Sequence, residues 1–210
     1  MRTVLSAAAV AVALALTACG APAAEESVTP EPAASTSADA AAKDSFPVEV
    51  KHALGTTTIE SEPVRVATWG WGSTEAAIAL GVFPVAVAEQ SWTVGEGNLL
   101  PWVEAAYDEA GAEKPVVLTD ADGGATFPYE EVIAADPDLI LAPYSGLTQE
   151  QYDTLTEIAP TVAYPGAPWT TTWQDTISIS AQALGRTAAG EDVLADIDGT
   201  LAGMKEAHPE

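Results

Sequence analysis

Basic residues are scarce in this chain, arginine above all. Lysine and arginine together number 7 against 31 acidic residues, which gives a formal charge of −24 at pH 7. That balance excludes nucleic acid or an anionic lipid surface as the main partner, since both need a basic face. Apart from Arg2, the arginines are Arg65 and Arg186, so a strongly anionic small ligand would find few bidentate partners. Cys19 is the single cysteine, which excludes an internal disulfide and a thiolate metal site built within the chain. His52 and His208 stand far apart; a multi-histidine zinc site is excluded, and His52 reads as structural. Phosphate-binding patterns are missing as well. Gly70-Trp71-Gly72 has the setting of a nucleotide loop, but Glu75 stands where a dinucleotide fingerprint needs its third glycine, and Trp71 would crowd a pyrophosphate. With no Gly-x-Ser-x-Gly elbow and no phosphate-loop lysine, no catalytic residue is assigned. Carboxylates such as Asp120, Asp122, Glu130 and Glu131 read as a solvated acidic surface.

What is present begins with a targeting segment. Arg2 is followed by an apolar core, Val4 to Leu16, too short to span a bilayer, and then by Leu16-Thr17-Ala18-Cys19. These four residues resemble the lipobox of bacterial lipoproteins. The resemblance implies cleavage before Cys19, lipid on its sulfur, and a location on the outer face of the cytoplasmic membrane. Residues 1–18 are thus expected to be a lipoprotein signal peptide. Residues 19–45, rich in Ala, Pro, Glu, Ser and Thr without apolar periodicity, read as a flexible tether.

From Phe46 the pattern alternates strand and helix. An edge hairpin is expected over Val48 to Ile59, broken at Gly55. The run Pro63 to Gln90 reads as strand (Val64 to Ala67), turn (Thr68 to Gly72), Ala-rich helix ending at Gly81, and strand (Pro84 to Ala88). A helix follows from Leu99 to Ala110 with Gly111 as its stop, then a strand at Val116 to Leu118 and a glycine-bearing loop from Asp120 to Thr126. Pro128 opens a helix to Ala135, Leu139 to Ala142 is a buried strand, and Thr148 to Gln151 fits a capping box for a helix reaching Ile158. Thr161 to Ala163 is the last short strand. Helices over Thr172 to Leu184 and Glu191 to Glu206 close the chain, the second with a stripe of Val193, Leu194, Ile197, Leu201 and Met204. The expected fold is an α/β three-layer lobe with a mainly parallel twisted sheet over residues 46–168, followed by a helical segment, 169–210, that no strand follows.

Four blocks, in this order and spacing, carry a further resemblance: Pro63-Val64-Arg65-Val66-Ala67-Thr68, Ala79-Leu80-Gly81-Val82, Tyr129 to Leu141 ending in Asp-Pro-Asp-Leu-Ile-Leu, and Leu155 to Val162. Together they resemble the iron-siderophore branch of the periplasmic-type substrate-binding proteins that serve ABC importers. The likeness runs from about Val48 onward. It implies two α/β lobes joined by one long helix with the ligand in a shallow cleft between them. On that comparison Thr171 to about Arg186 resembles the joining helix, and a second lobe is expected to be absent after it.

The resemblance implies a ferric siderophore as ligand, an ABC permease as partner, and a monomer with no resident cofactor, iron arriving only inside the chelate. It puts the cleft on Trp69, Trp71, Gly72 and Ser73, on Gln90, Ser91 and Trp92, on Tyr144 and Ser145, and around Trp169. These same loops follow the carboxyl ends of predicted strands, where ligands gather in open α/β sheets. The aromatic faces suit a chelate whose metal is already saturated. Trp102 and Trp173 fall on apolar helix faces and are expected to be core. Scarce arginine favours a neutral or cationic hydroxamate chelate over an anionic one. Another large chelate, a corrinoid or haem, is the alternative cargo. Glu150 matches the glutamate with which related proteins dock on their permease, although a carboxylate in a helix's first turn is also favoured by the dipole alone.

Overall fold

The computed structural model describes residues 43–91 and 98–208. The signal peptide, Cys19, all but the last residues of the tether, and Trp92 lie outside the described residues. The described chain enters through two antiparallel strands, β1 (Val48–His52) and β2 (Gly55–Ile59), in the register Val48 opposite Ile59 and His52 opposite Gly55. This hairpin forms a two-stranded sheet of its own rather than an edge of the main one.

The alternating units follow as β3 (Val66–Thr68), α1 (Ser73–Ala79), β4 (Ala86–Ala88), α2 (Pro101–Ala110), β5 (Val116–Leu118), α3 (Tyr129–Ala135), β6 (Leu139–Leu141), α4 (Gln149–Thr156) and β7 (Thr161–Val162). Among the described residues β3 to β7 make one parallel sheet in the order β5-β4-β3-β6-β7. Strands β3, β4 and β6 are buried at every position, which is why their sequences read as apolar runs rather than alternations. Alternate side chains feed two cores. Ala67 and Ile140 join Val132 and Leu155 on the α3 and α4 side. Val66, Leu139 and Leu141 join Ala77, Ala181 and the hairpin residues Val50 and Ile59 on the other. The result is the expected three-layer lobe.

Helix ends follow their local chemistry. Pro101 occupies the first turn of α2, and Gly111 stops it with φ 62°. The predicted box at α4 is complete: Thr148 Oγ1 accepts from Gln151 N, and the Gln151 side chain accepts from Thr148 N at 2.9 Å. The packed face of α2 consists of Val103 and Tyr107. Trp102 is 61% exposed, one position round the helix from Val103, so the expectation that it is core fails.

The final two helices are α5 (Trp173–Ala183) and α6 (Thr187–Ala207). Thr172 caps α5 by accepting from Asp175 N at 3.0 Å, and the helix packs into the lobe against α1 and β1. Length belongs to α6, which at 21 residues is nearly twice as long as the 11-residue α5. Gly190 lets α6 sit close on α5, because a Cβ there would lie 2.5 Å from Ala181 Cβ. Past Ile197 the helix is exposed, with Leu201 and Met204 uncovered. Among the described residues no helix is long and apolar enough to cross a membrane.

Candidate functional site

Strand β3 leads to β4 and β5 on one side, while β6 and β7 pair on the other, so the strand order reverses at β3 and β6. At such a switch point the loops leaving adjacent strands diverge and open a crevice outside their carboxyl ends. Here the two loops are stitched at their base. Trp69 N donates to Leu141 O at 2.8 Å, and Trp71 N donates to Tyr144 O at 3.3 Å. Gly70, at φ +81°, makes the approach possible, since a Cβ on it would lie 2.1 Å from Tyr144 O.

Above that seam the aromatic side chains diverge. Trp71 is 51% exposed and Trp169 is 43% exposed. Tyr144 meets Trp169 edge to face with centroids 5.7 Å apart. Trp169 holds a left-handed backbone, φ +59°, with its N–H donating to Ser145 O at 3.1 Å. Its indole lies over Gly146, where a Cβ would come within 2.3 Å of Nε1. Such a conformation costs a non-glycine residue about 1–3 kcal/mol, here at a residue that lines the groove. Trp71, Tyr144 and Trp169 together with Asp120, Asp122 and Gly123 enclose an open groove of about 570 Å³. A second, apolar groove of about 450 Å³ shares Trp71 and Tyr144 and runs between α1, α5 and α6, past Glu75, Trp173, Ile177 and Ile197.

Several expected ligand contacts are structural instead. Trp69 is 2% exposed and packs on Phe127 with centroids 4.4 Å apart, so it belongs to the core. Ser73 is buried and donates to Trp69 O at 3.1 Å; Ser145 is buried and donates to Ala142 O at 2.8 Å. Both hydroxyls fix the exit loops rather than face the groove. Gly72 lines the apolar groove. Gln90 bounds a smaller hollow with Thr74, Glu75 and Val103, and Ser91 is exposed. Trp173, expected in the core, is 44% exposed and lines the apolar groove. Glu150 stands exposed in the first turn of α4, on the helix that follows the β6 exit loop.

The residues that sequence reasoning passed over are Asp120 and Asp122. Their position directly after β5 was the available signal, since it puts them at a strand exit like the other groove loops. Asp120 accepts from Gly124 N at 2.6 Å and Asp122 from Thr126 N at 2.9 Å, so both carboxylates are fixed by their own loop. Partial burial, reinforced by the like charges of Asp122 and Glu89, pushes the Asp120 carboxyl above its usual range against the Gly124 bond. The bond from Thr126 N holds Asp122 below it. Among the described residues no three His, Cys, Asp or Glu side chains gather to hold a metal ion.

Residues 66–210 match the periplasmic binding protein family. The chain belongs to that family. It is 35% identical over 159 residues to the probable siderophore-binding lipoprotein YfiY of Bacillus subtilis, covering 74% of this chain and 44% of the relative. Among solved structures it resembles PiaA of Streptococcus pneumoniae in complex with ferrichrome, at 36% identity and a TM-score of 0.71, over 77% of this chain and 52% of PiaA. It also resembles SirA of Staphylococcus aureus complexed with staphyloferrin B, at 32% identity and a TM-score of 0.61, over 75% of this chain and 49% of SirA. The chain thus spans about half the length of these family members.

Proposed function

We propose that this chain is the ligand-capturing lobe of an extracytoplasmic binding protein that takes a ferric siderophore, of hydroxamate type, and delivers it to an ABC permease. The observation that carries this reading is the aromatic groove of Trp71, Tyr144 and Trp169 at the switch point of the sheet. Flat rings with polar edges suit a bulky chelate that offers its metal no open coordination position. Family membership supports a binding rather than a catalytic role. A relative solved with ferrichrome, a hydroxamate chelate, supports the ligand class over haem or a corrinoid.

In this reading α6 takes the joining role that the resemblance implied for Thr171 to Arg186, because the length and the uncovered far half belong to α6. A second lobe would supply the facing wall of the cleft. Cys19 anchors the protein to the outer face of the cytoplasmic membrane, which the lipoprotein name of the Bacillus relative supports. Glu150 meets the permease from an exposed helix start.

Titration of the 210-residue chain with ferrichrome, followed by tryptophan fluorescence, tests the reading. Saturable quenching that weakens in Trp71→Ala, with the chelate recovered unchanged, is the expected result. Tighter binding of a ferric catecholate than of ferrichrome overturns the hydroxamate assignment, and absence of binding to either overturns the chelate site. The docking role of Glu150 fails if Glu150→Arg leaves transport intact.

A further inference from the structure

Charge is distributed unevenly around the groove. Its described lining holds two carboxylates, Asp120 and Asp122, and no lysine or arginine. Among the described residues the basic side chains lie elsewhere, and four of the six have partners there. Lys43 pairs with Glu62, and Lys114 lies 2.7 Å from Asp108. Arg65 donates to Asp136 O and Ala135 O at 2.7 and 2.6 Å, and Arg186 donates to Leu80 O at 2.7 Å. Lys51 lies on β1 and Lys205 in the last turn of α6.

We infer that Asp120 and Asp122 make the aromatic groove selective for the sign of its ligand's charge, favouring a ferric chelate that carries a protonated amine over a neutral or anionic one. This rests on the reading of the groove as a chelate site. Two like charges held together in a concavity repel each other, and a cation placed between them and the rings relieves that repulsion. The same cation gains from the faces of Trp71, Tyr144 and Trp169. Because Gly124 N and Thr126 N already fix the two carboxylates, little ordering is left for binding to impose. An anionic chelate meets the opposite situation, with repulsion and no guanidinium on the groove lining to offset it.

The test uses two chelates with one ferric core: ferrioxamine B, whose pendant amine is protonated, and its N-acetyl derivative, which is neutral. Both are titrated into the 210-residue chain by tryptophan fluorescence. At low salt the charged chelate is expected to bind about fivefold more tightly, the scale of a pair of solvent-accessible charge contacts. That ratio should close at about 1 M salt, where the screening length is about 3 Å. It should also close in Asp120→Asn/Asp122→Asn, whose amide oxygens still accept from Gly124 N and Thr126 N. A ratio near one at low salt, or a preference that survives the double variant at low salt, overturns the inference and leaves the chelate site standing. Failure of both chelates to bind overturns the site and the inference together. Should the double variant not fold, Asp120→Asn and Asp122→Asn taken singly carry the test, each expected to narrow the ratio at low salt, because the net charge of −24 alone would also give a salt dependence.

Discussion

At the amino ends of the strands the Asp138 carboxylate accepts from Val64 N and Arg65 N at 2.8 and 2.9 Å, while the Arg65 guanidinium closes on the carbonyls ending α3. At the carboxyl ends the chain leaves two half-exposed tryptophans beside the partly buried Tyr144, two carboxylates without a basic neighbour, and backbone in left-handed conformations at Gly70, Gly72, Gly123 and Trp169. One end satisfies its polar groups internally; the other keeps rings and charge turned outward. The contrast sets the closed end, together with the backbone seam beneath the groove, against the rings and carboxylates above that seam: substitutions in the first set should show in unfolding, and those in the second in the proposed chelate binding.

The largest effect expected is at the seam that underlies the open end. Gly70→Ala forces a Cβ into Tyr144 O at a positive φ, and a loss of about 3 kcal/mol in urea unfolding is expected. A loss below about 1 kcal/mol would mean that the two exit loops part readily and that the seam contributes little to stability. Next comes the closed end. Asp138→Ala removes the acceptor of two backbone N–H groups, and stability should fall by about 2 kcal/mol while chelate affinity holds. Any comparable fall in affinity would show that the ends are coupled.

Third, Trp71→Ala removes a ring that is half in water, so the unfolding midpoint should move little while chelate affinity falls about tenfold. The smallest effect expected is the pH dependence contributed by His52. Burial lowers its pKa from 6.5, and its ring bonds Thr57 Oγ1 at 2.9 Å beside the start of β7. Protonation therefore favours the unfolded chain: this share of stability is present above pH 6.5 and drains as pH falls below it. Unfolding midpoints compared at about pH 7.5 and about pH 5.5 check it, and His52→Gln should remove that share of the difference.

The layers of the lobe were legible in the sequence because their signals are local. Capping by Thr148, the stop at Gly111 and the apolar run Leu139 to Leu141 each act within a few residues. Side-chain fates at the strand exits were not, because distant partners decide them. Trp69 and Trp71 are separated by one glycine, yet Phe127 draws the first into the core, and among the described residues nothing comparable covers the second. Tyr107 is buried by a distant partner as well: its hydroxyl donates to Pro84 O, outside α2. Trp102 and Trp173 match an apolar stripe by spacing, but each lies at the margin of its packed face. The place of Asp120 and Asp122 after β5 is local, but their share in the groove's rim depends on the pairing of β5 with β4, which no pattern within the loop encodes.

The contact between Trp169 and Gly146 makes one backbone hydrogen a condition of the groove's shape. Because the indole rests where a side chain at 146 would begin, enlarging that position must displace the Trp169 ring, one of the groove's walls. For the chelate site proposed above, this makes position 146 a means of altering the chelate size accepted from beneath the ring, without changing Trp71, Tyr144 or Trp169.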